Sequence, residues 1–124
     1  MHKLSILLAA ILCSGSSLQT FNIPKAPLIP NQAVVFDIDS TLTPKKTAFY
    51  KVRDDAANAA QLYASGGYKI IYLSARRRSY QSRIPGWLRK HNFPEGSIHV
   101  PQTSVDTSDK VAFKKRILLS LIHI

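Results

Sequence analysis

AVVFDIDSTL, Ala33 to Leu42, decides the fold of this chain of 124 residues. Val34, Val35 and Phe36 are β-branched or aromatic and follow one another without a polar break, the pattern of a strand buried on both faces. The run ends in two carboxylates, Asp37 and Asp39, separated only by Ile38. In an open parallel sheet the ligand crevice lies beyond the carboxyl ends of the strands, so both acids are expected at a binding surface. Ser40-Thr41-Leu42-Thr43-Pro44 then reads as a polar turn out of the sheet. A turn-forming aspartate alone would account for one acid at such an exit; two after so apolar a strand favour a site.

On the C-terminal side, Val52 to Ser65 places Ala56, Ala59, Ala60, Tyr63 and Ala64 on one helical face, and Gly66-Gly67 stops it. Tyr68 to Leu73 is a second strand. Strand, helix and strand in that order imply a right-handed crossover to a parallel neighbour. The short connection between the acidic turn and the helix leaves no room for a large cap domain, so the site is expected to be open. Past Ser74 comes Ala75-Arg76-Arg77-Arg78, and Pro85-Gly86 sets the start of a second helix near Pro85. Ser97 to Val100 is a short third strand, and Pro101 to Ser108 a loop. Ser108 or Asp109 caps a helix to about Leu121, with Val111, Phe113, Ile117, Leu118 and Leu121 largely on one side. The expected fold class is α/β, a three-layer parallel sheet of Rossmann-like type.

Asp37, Asp39 and Thr41 after an apolar strand resemble motif one of the haloacid dehalogenase (HAD) superfamily of phosphohydrolases, Asp-x-Asp-x-Thr or Ser. The resemblance implies that Asp37 attacks phosphorus and becomes an aspartyl phosphate, while Asp39 moves the proton; carboxylates suit both tasks. Ser74 matches motif two, a hydroxyl that bonds a phosphoryl oxygen, and Phe113-Lys114-Lys115 is similar to motif three, whose lysine neutralises the nucleophile and phosphoryl oxygens. Lys114 is the choice there, with Lys110 and Lys115 as alternatives. Tyr72-Leu73-Ser74-Ala75-Arg76, Arg83, Trp87-Leu88 and Phe93-Pro94-Glu95-Gly96 resemble the capless branch that includes lipin phosphatidate phosphatases and the C-terminal domain of some phosphatidylinositol transfer proteins. Members usually carry Thr-Arg where this chain has Ser82-Arg83. The resemblance implies Asp37, Asp39 and Lys114 as catalytic groups, Thr41, Ser74 and Arg76 as substrate contacts, and Asp37 with Asp39 as magnesium ligands.

Arg76, Arg77, Arg78, Arg83, Arg89 and Lys90 form a dense basic region. Arginine pairs with phosphate in a two-pronged manner, and Arg76 lies nearest Ser74; most members of such a run simply face water. Trp87 and Leu88 are expected in the core, and His91 and His99 lack zinc-ligand spacing. The net charge of +10 favours anionic partners. A phosphorylated small molecule or lipid is the expected partner, with nucleic acid, including phosphorylated ends, open but not favoured.

Upstream, Met1-His2-Lys3, the apolar Leu4 to Cys13 and Ser14-Gly15-Ser16-Ser17 have the layout of a secretory leader. The expected organisation is a signal peptide over 1–17, an extended lead-in over 18–32 with Pro24, Pro27 and Pro30, and the HAD-like domain over 33–124. It implies a secreted or periplasmic protein without a transmembrane segment in its mature chain. The superfamily's fourth motif, a later strand with aspartates that complete the magnesium site, is missing before Ile124, so the domain reads as C-terminally truncated. Magnesium prefers six oxygens in near-octahedral array, and Asp37 and Asp39 alone predict poor affinity. The reading is a magnesium-dependent phosphomonoester hydrolase of uncertain activity in this chain; the alternative is a non-catalytic module binding phosphorylated lipid or another anion.

Overall fold

The computed structural model describes residues 6–8, 32–43 and 51–122. Four strands form one sheet in the order β1 (Ile6–Leu8), β2 (Ala33–Asp37), β3 (Lys69–Leu73) and β4 (Ser97–His99). Every neighbouring pair is parallel. The register sets Asp37 opposite Leu73 and Leu73 opposite His99, so the carboxyl ends of the three consecutive strands lie together.

The helices are α1 (Ala56–Ser65), α2 (Arg78–Gln81), α3 (Ile84–Lys90), α4 (Ser104–Ser108) and α5 (Lys110–Ile122). Alternation along the strands divides the core in two. Val34, Phe36, Ile70 and Tyr72 face Ala59, Ala60 and Tyr63 of α1 and Ile84, Trp87 and Leu88 of α3. Ala33, Val35, Ile71 and Leu73 face Phe113 and Leu121 of α5. This is the expected three-layer α/β architecture. Alanines on α1 let its backbone approach the sheet, while Phe36, Tyr63, Tyr68 and Tyr72 fill the remaining volume edge to face or stacked.

Several boundaries differ from expectation for local reasons. Helix α1 begins at Ala56, not Val52, because Asp55 takes a left-handed conformation with φ 67°. Gly66 and Gly67 end it as expected, Gly67 at φ 91°. The expected loop at Pro101–Ser108 holds α4, whose first turn is capped by Thr103 Oγ1 accepting from Asp106 N at 3.3 Å. Asp109 then caps α5, its Oδ1 accepting from Ala112 N at 3.0 Å. Helix α3 starts at Ile84, beside the predicted Pro85, and α2 is a separate turn before it.

With three strands alone, the outer edge of β2 would be unpaired. Instead β1 lies along it, with Ile6, Leu7 and Leu8 opposite Ala33, Val34 and Val35. That strand comes from within the stretch expected to be a leader: an apolar run suits a sheet edge as well as an export signal. The rest of the expected leader over 1–17, the lead-in before Gln32, and 44–50 lie outside the described residues.

Candidate functional site at the carboxyl ends of the strands

The chain leaving β2 is a single turn of π-helix, Ile38–Leu42, closed by Thr43 N donating to Ile38 O at 3.2 Å. Ile38 and Leu42 are buried, so the turn folds back onto the core rather than away from it. Arg53 braces it from the next segment, with its backbone N donating to Leu42 O at 2.8 Å and its Nε to Thr43 O at 3.2 Å. The expectation of a polar turn is thus half right: the turn exists, and its apolar residues anchor it.

Asp37, at the end of β2, and Asp39, within the turn, have different partners. Lys114 Nζ, from α5, donates to both carboxylate oxygens of Asp37, at 3.0 and 2.9 Å. Ser74 Oγ donates to Asp39 Oδ2 at 3.0 Å, and Arg76 Nε to Asp39 Oδ1 at 2.7 Å. Arg76 N in turn donates to Ser74 Oγ at 3.2 Å, fixing the hydroxyl that β3 delivers through Ser74 N bonded to His99 O. Five of the six residues singled out in the sequence therefore gather at this end of the sheet, as a Lys114–Asp37 pair and an Asp39–Ser74–Arg76 network. The sixth, Thr41, sits half-buried in the π-turn.

Lys114 is selected from three lysines by the helix that carries it. Phe113 and Leu121 bury one side of α5 against the sheet, which leaves Lys114 half-buried at the margin of that side and Lys110 and Lys115 exposed. Burial pushes the Asp37 carboxyl above the ordinary aspartate range, against the opposing hydrogen bond and charge of Lys114, and the neighbouring charge of Asp39 adds to the rise. Gln81, which the sequence did not single out, donates through Nε2 to Arg76 O at 3.1 Å and Pro101 O at 2.8 Å. An amide in a basic run carries no sequence signal for such a role.

The two acids that the resemblance implies as magnesium ligands, Asp37 and Asp39, are both paired with cations. Their carboxyl groups accept from Lys114, Ser74 and Arg76, and among the described residues no three His, Cys, Asp or Glu side chains gather. Asp106 lies elsewhere, held by Arg116 Nη2 at 2.8 Å, and Asp109 serves as a helix cap. Magnesium held by one or two carboxylates takes its other oxygens from water and phosphate, and here both carboxylates are engaged by cations.

A family model, the LNS2 domain of PITM 1-3, matches residues 34–124, which include every member of this network. The chain belongs to the LNS2 domain family. Membrane-associated phosphatidylinositol transfer protein 1 of Rattus norvegicus is 34% identical over 95 residues, 74% of this chain but 8% of that protein. Protein retinal degeneration B of Drosophila melanogaster is 36% identical over 70 residues, 54% of this chain and 6% of its own length. Membrane-associated phosphatidylinositol transfer protein 3 of Homo sapiens is 33% identical over 70 residues, 54% of this chain and 7% of its own. The LNS2 chain thus spans under a tenth of these relatives. No solved structure matches it.

These relatives lie on the phosphatidylinositol transfer protein side of the motif resemblance, and the match assigns no phosphatase chemistry. They also overturn the expected secreted or periplasmic location, since the proteins that share this LNS2 domain are named as membrane-associated. The apolar N-terminal run that suggested export is equally a strand-forming run, and Ile6–Leu8 pairs with β2. Among the described residues no helix is long and apolar enough to cross a membrane.

Proposed function

We propose that this LNS2 domain is a non-catalytic module that binds phosphorylated lipid, holding the phosphate at the Ser74, Arg76 and Lys114 end of the sheet. The observation that carries the reading is the pairing of both acids with cations: Lys114 on Asp37 and Arg76 on Asp39, with Ser74 beside them. A guanidinium and a hydroxyl from the segment after β3 and an ammonium from α5 are donors that phosphate oxygens accept from. An incoming phosphate exchanges with the carboxylates for these donors, and the raised Asp37 carboxyl is easier to neutralise than an ordinary aspartate. The names of the relatives, phosphatidylinositol transfer proteins, agree with a lipid as the source of the phosphate.

A phosphomonoester hydrolase is the second reading, favoured by Asp37 standing beside Lys114 and near Ser74 in the motif positions. Attack on phosphorus requires an Asp37 lone pair aimed at an anionic group, and both Asp37 carboxylate oxygens accept from Lys114 Nζ. The test compares wild-type protein with Arg76→Gln and Asp37→Asn, using phosphatidate vesicles for binding and release of inorganic phosphate for hydrolysis. The module reading expects Arg76→Gln to weaken binding on the order of tenfold, as for a lost charged hydrogen bond. Asp37→Asn should bind at least as well as wild type because Lys114 is released. Magnesium-dependent phosphate release that Asp37→Asn abolishes would replace this reading with the hydrolase.

A further inference from the structure

We propose that the turn from Arg76 to Arg83, beside the phosphate site, is a docking surface for an anionic lipid bilayer, with Tyr80 at headgroup depth. The inference rests on the lipid reading above for the source of the anion. The turn's outward-facing residues, Arg77, Arg78 and Tyr80, lie outside the network that holds the acids.

Helix α2 is one turn long and buries no residue, so it has little reason to form alone. It is clamped from its inner side. Gln81 ties it to Arg76 O and Pro101 O, and Arg76 reaches Asp39 with Nε while its guanidinium carbon stands 5.5 Å from the Tyr80 ring centre. Arg83 approaches the same ring at 5.8 Å. The clamp leaves Arg77, Arg78 and Tyr80 on the outside, with Tyr80 42% exposed. Cation–π contact with Arg76 and Arg83 holds the Tyr80 ring at the surface.

Charge identifies the partner. From Ser74 to Pro94 the chain carries Arg76, Arg77, Arg78, Arg83, Arg89 and Lys90 and not one acidic residue. Cations beside an anionic leaflet gain attraction that falls off within a Debye length, and tyrosine favours the headgroup layer, its ring apolar and its hydroxyl wet. A flat bilayer also suits a turn that offers no groove. Single-stranded nucleic acid would use the same arginines but bind bases by stacking, and the Tyr80 ring is already in contact with the guanidinium groups of Arg76 and Arg83.

The experiment is co-sedimentation of the full chain with phosphatidylcholine vesicles, alone or mixed with phosphatidylserine or phosphatidate, at physiological ionic strength. Wild type should bind both anionic mixtures and not phosphatidylcholine alone. Arg77→Gln with Arg78→Gln should lower partitioning to both mixtures, each arginine by roughly fivefold and the pair by about thirtyfold. The same double variant should keep wild-type affinity for inorganic phosphate by calorimetry, which separates docking from the phosphate site. Tyr80→Trp should show blue-shifted emission when anionic vesicles are added. Unchanged partitioning of the double variant overturns the docking surface while the phosphate module stands. Failure of wild type to bind either anionic mixture removes both. Arginine-dependent retention of an oligonucleotide without vesicle binding overturns the bilayer in favour of nucleic acid.

Discussion

The chains leaving β2 and β3 start side by side at the same sheet edge and go opposite ways. After β2 the chain turns inward: Ile38, Leu42 and Thr43 are fully buried, and the acids on either side of Ile38 are held by cations from distant segments. After β3 it turns outward: past Ala75 it exposes Arg77, Arg78 and Tyr80, and its short helix buries nothing. The first exit belongs to the fold and owes its conformation to packing. The second is a polar attachment held by two side chains, Arg76 and Gln81. Arg76 joins the two exits, since it starts on one and ends on an acid of the other.

That contrast makes stability the first way to break it. Leu42→Ala should cost about 2–5 kcal/mol, as for other buried leucines, read as a shift in the urea midpoint. A loss under about 0.5 kcal/mol would mean that the π-turn is not part of the core.

Removing a cation from the inward exit should have a smaller, pH-dependent effect. Lys114→Ala leaves the half-buried Asp37 carboxylate without its partner, and a loss of about 1–2 kcal/mol at neutral pH is expected, discounted for exposure. The sign follows from the raised carboxyl. Asp37 is held above the ordinary aspartate range in the folded protein, so its ionisation destabilises the fold as pH rises through that interval. On acidification the proton neutralises the carboxyl, and the difference between Lys114→Ala and wild type should shrink. A difference that grows towards low pH would contradict the assignment.

The smallest stability effect belongs to the outward exit. Arg77→Ala with Arg78→Ala should shift the urea midpoint by no more than about 0.5 kcal/mol, as for exposed substitutions. A larger loss would show these arginines supporting the fold rather than facing a partner.

Much of the site was legible in advance because its signals are local. Apolar run, two acids and threonine in β2, hydroxyl after β3, and lysine beside a core phenylalanine each occupy a few consecutive residues. The short α2 was not legible: nothing in Arg78-Ser79-Tyr80-Gln81 favours a helix, and only its clamp to Arg76 and Pro101 accounts for it. Nor was β1 as a sheet edge, because a run of leucine and isoleucine has the same composition whether it pairs with a strand or forms a leader.

By itself the sequence determined the order of the three consecutive strands β2 to β4 with α1, α3 and α5, their parallel pairing and the residues at their carboxyl ends. Side-chain period is a property of neighbours along the chain, and it survives without the fold. Tertiary structure alone decided which lysine meets Asp37, which acid Arg76 takes and which side of the basic run faces out. Those choices depend on contacts between residues as far apart as Asp37 and Lys114, whose distance is set by packing and not by spacing.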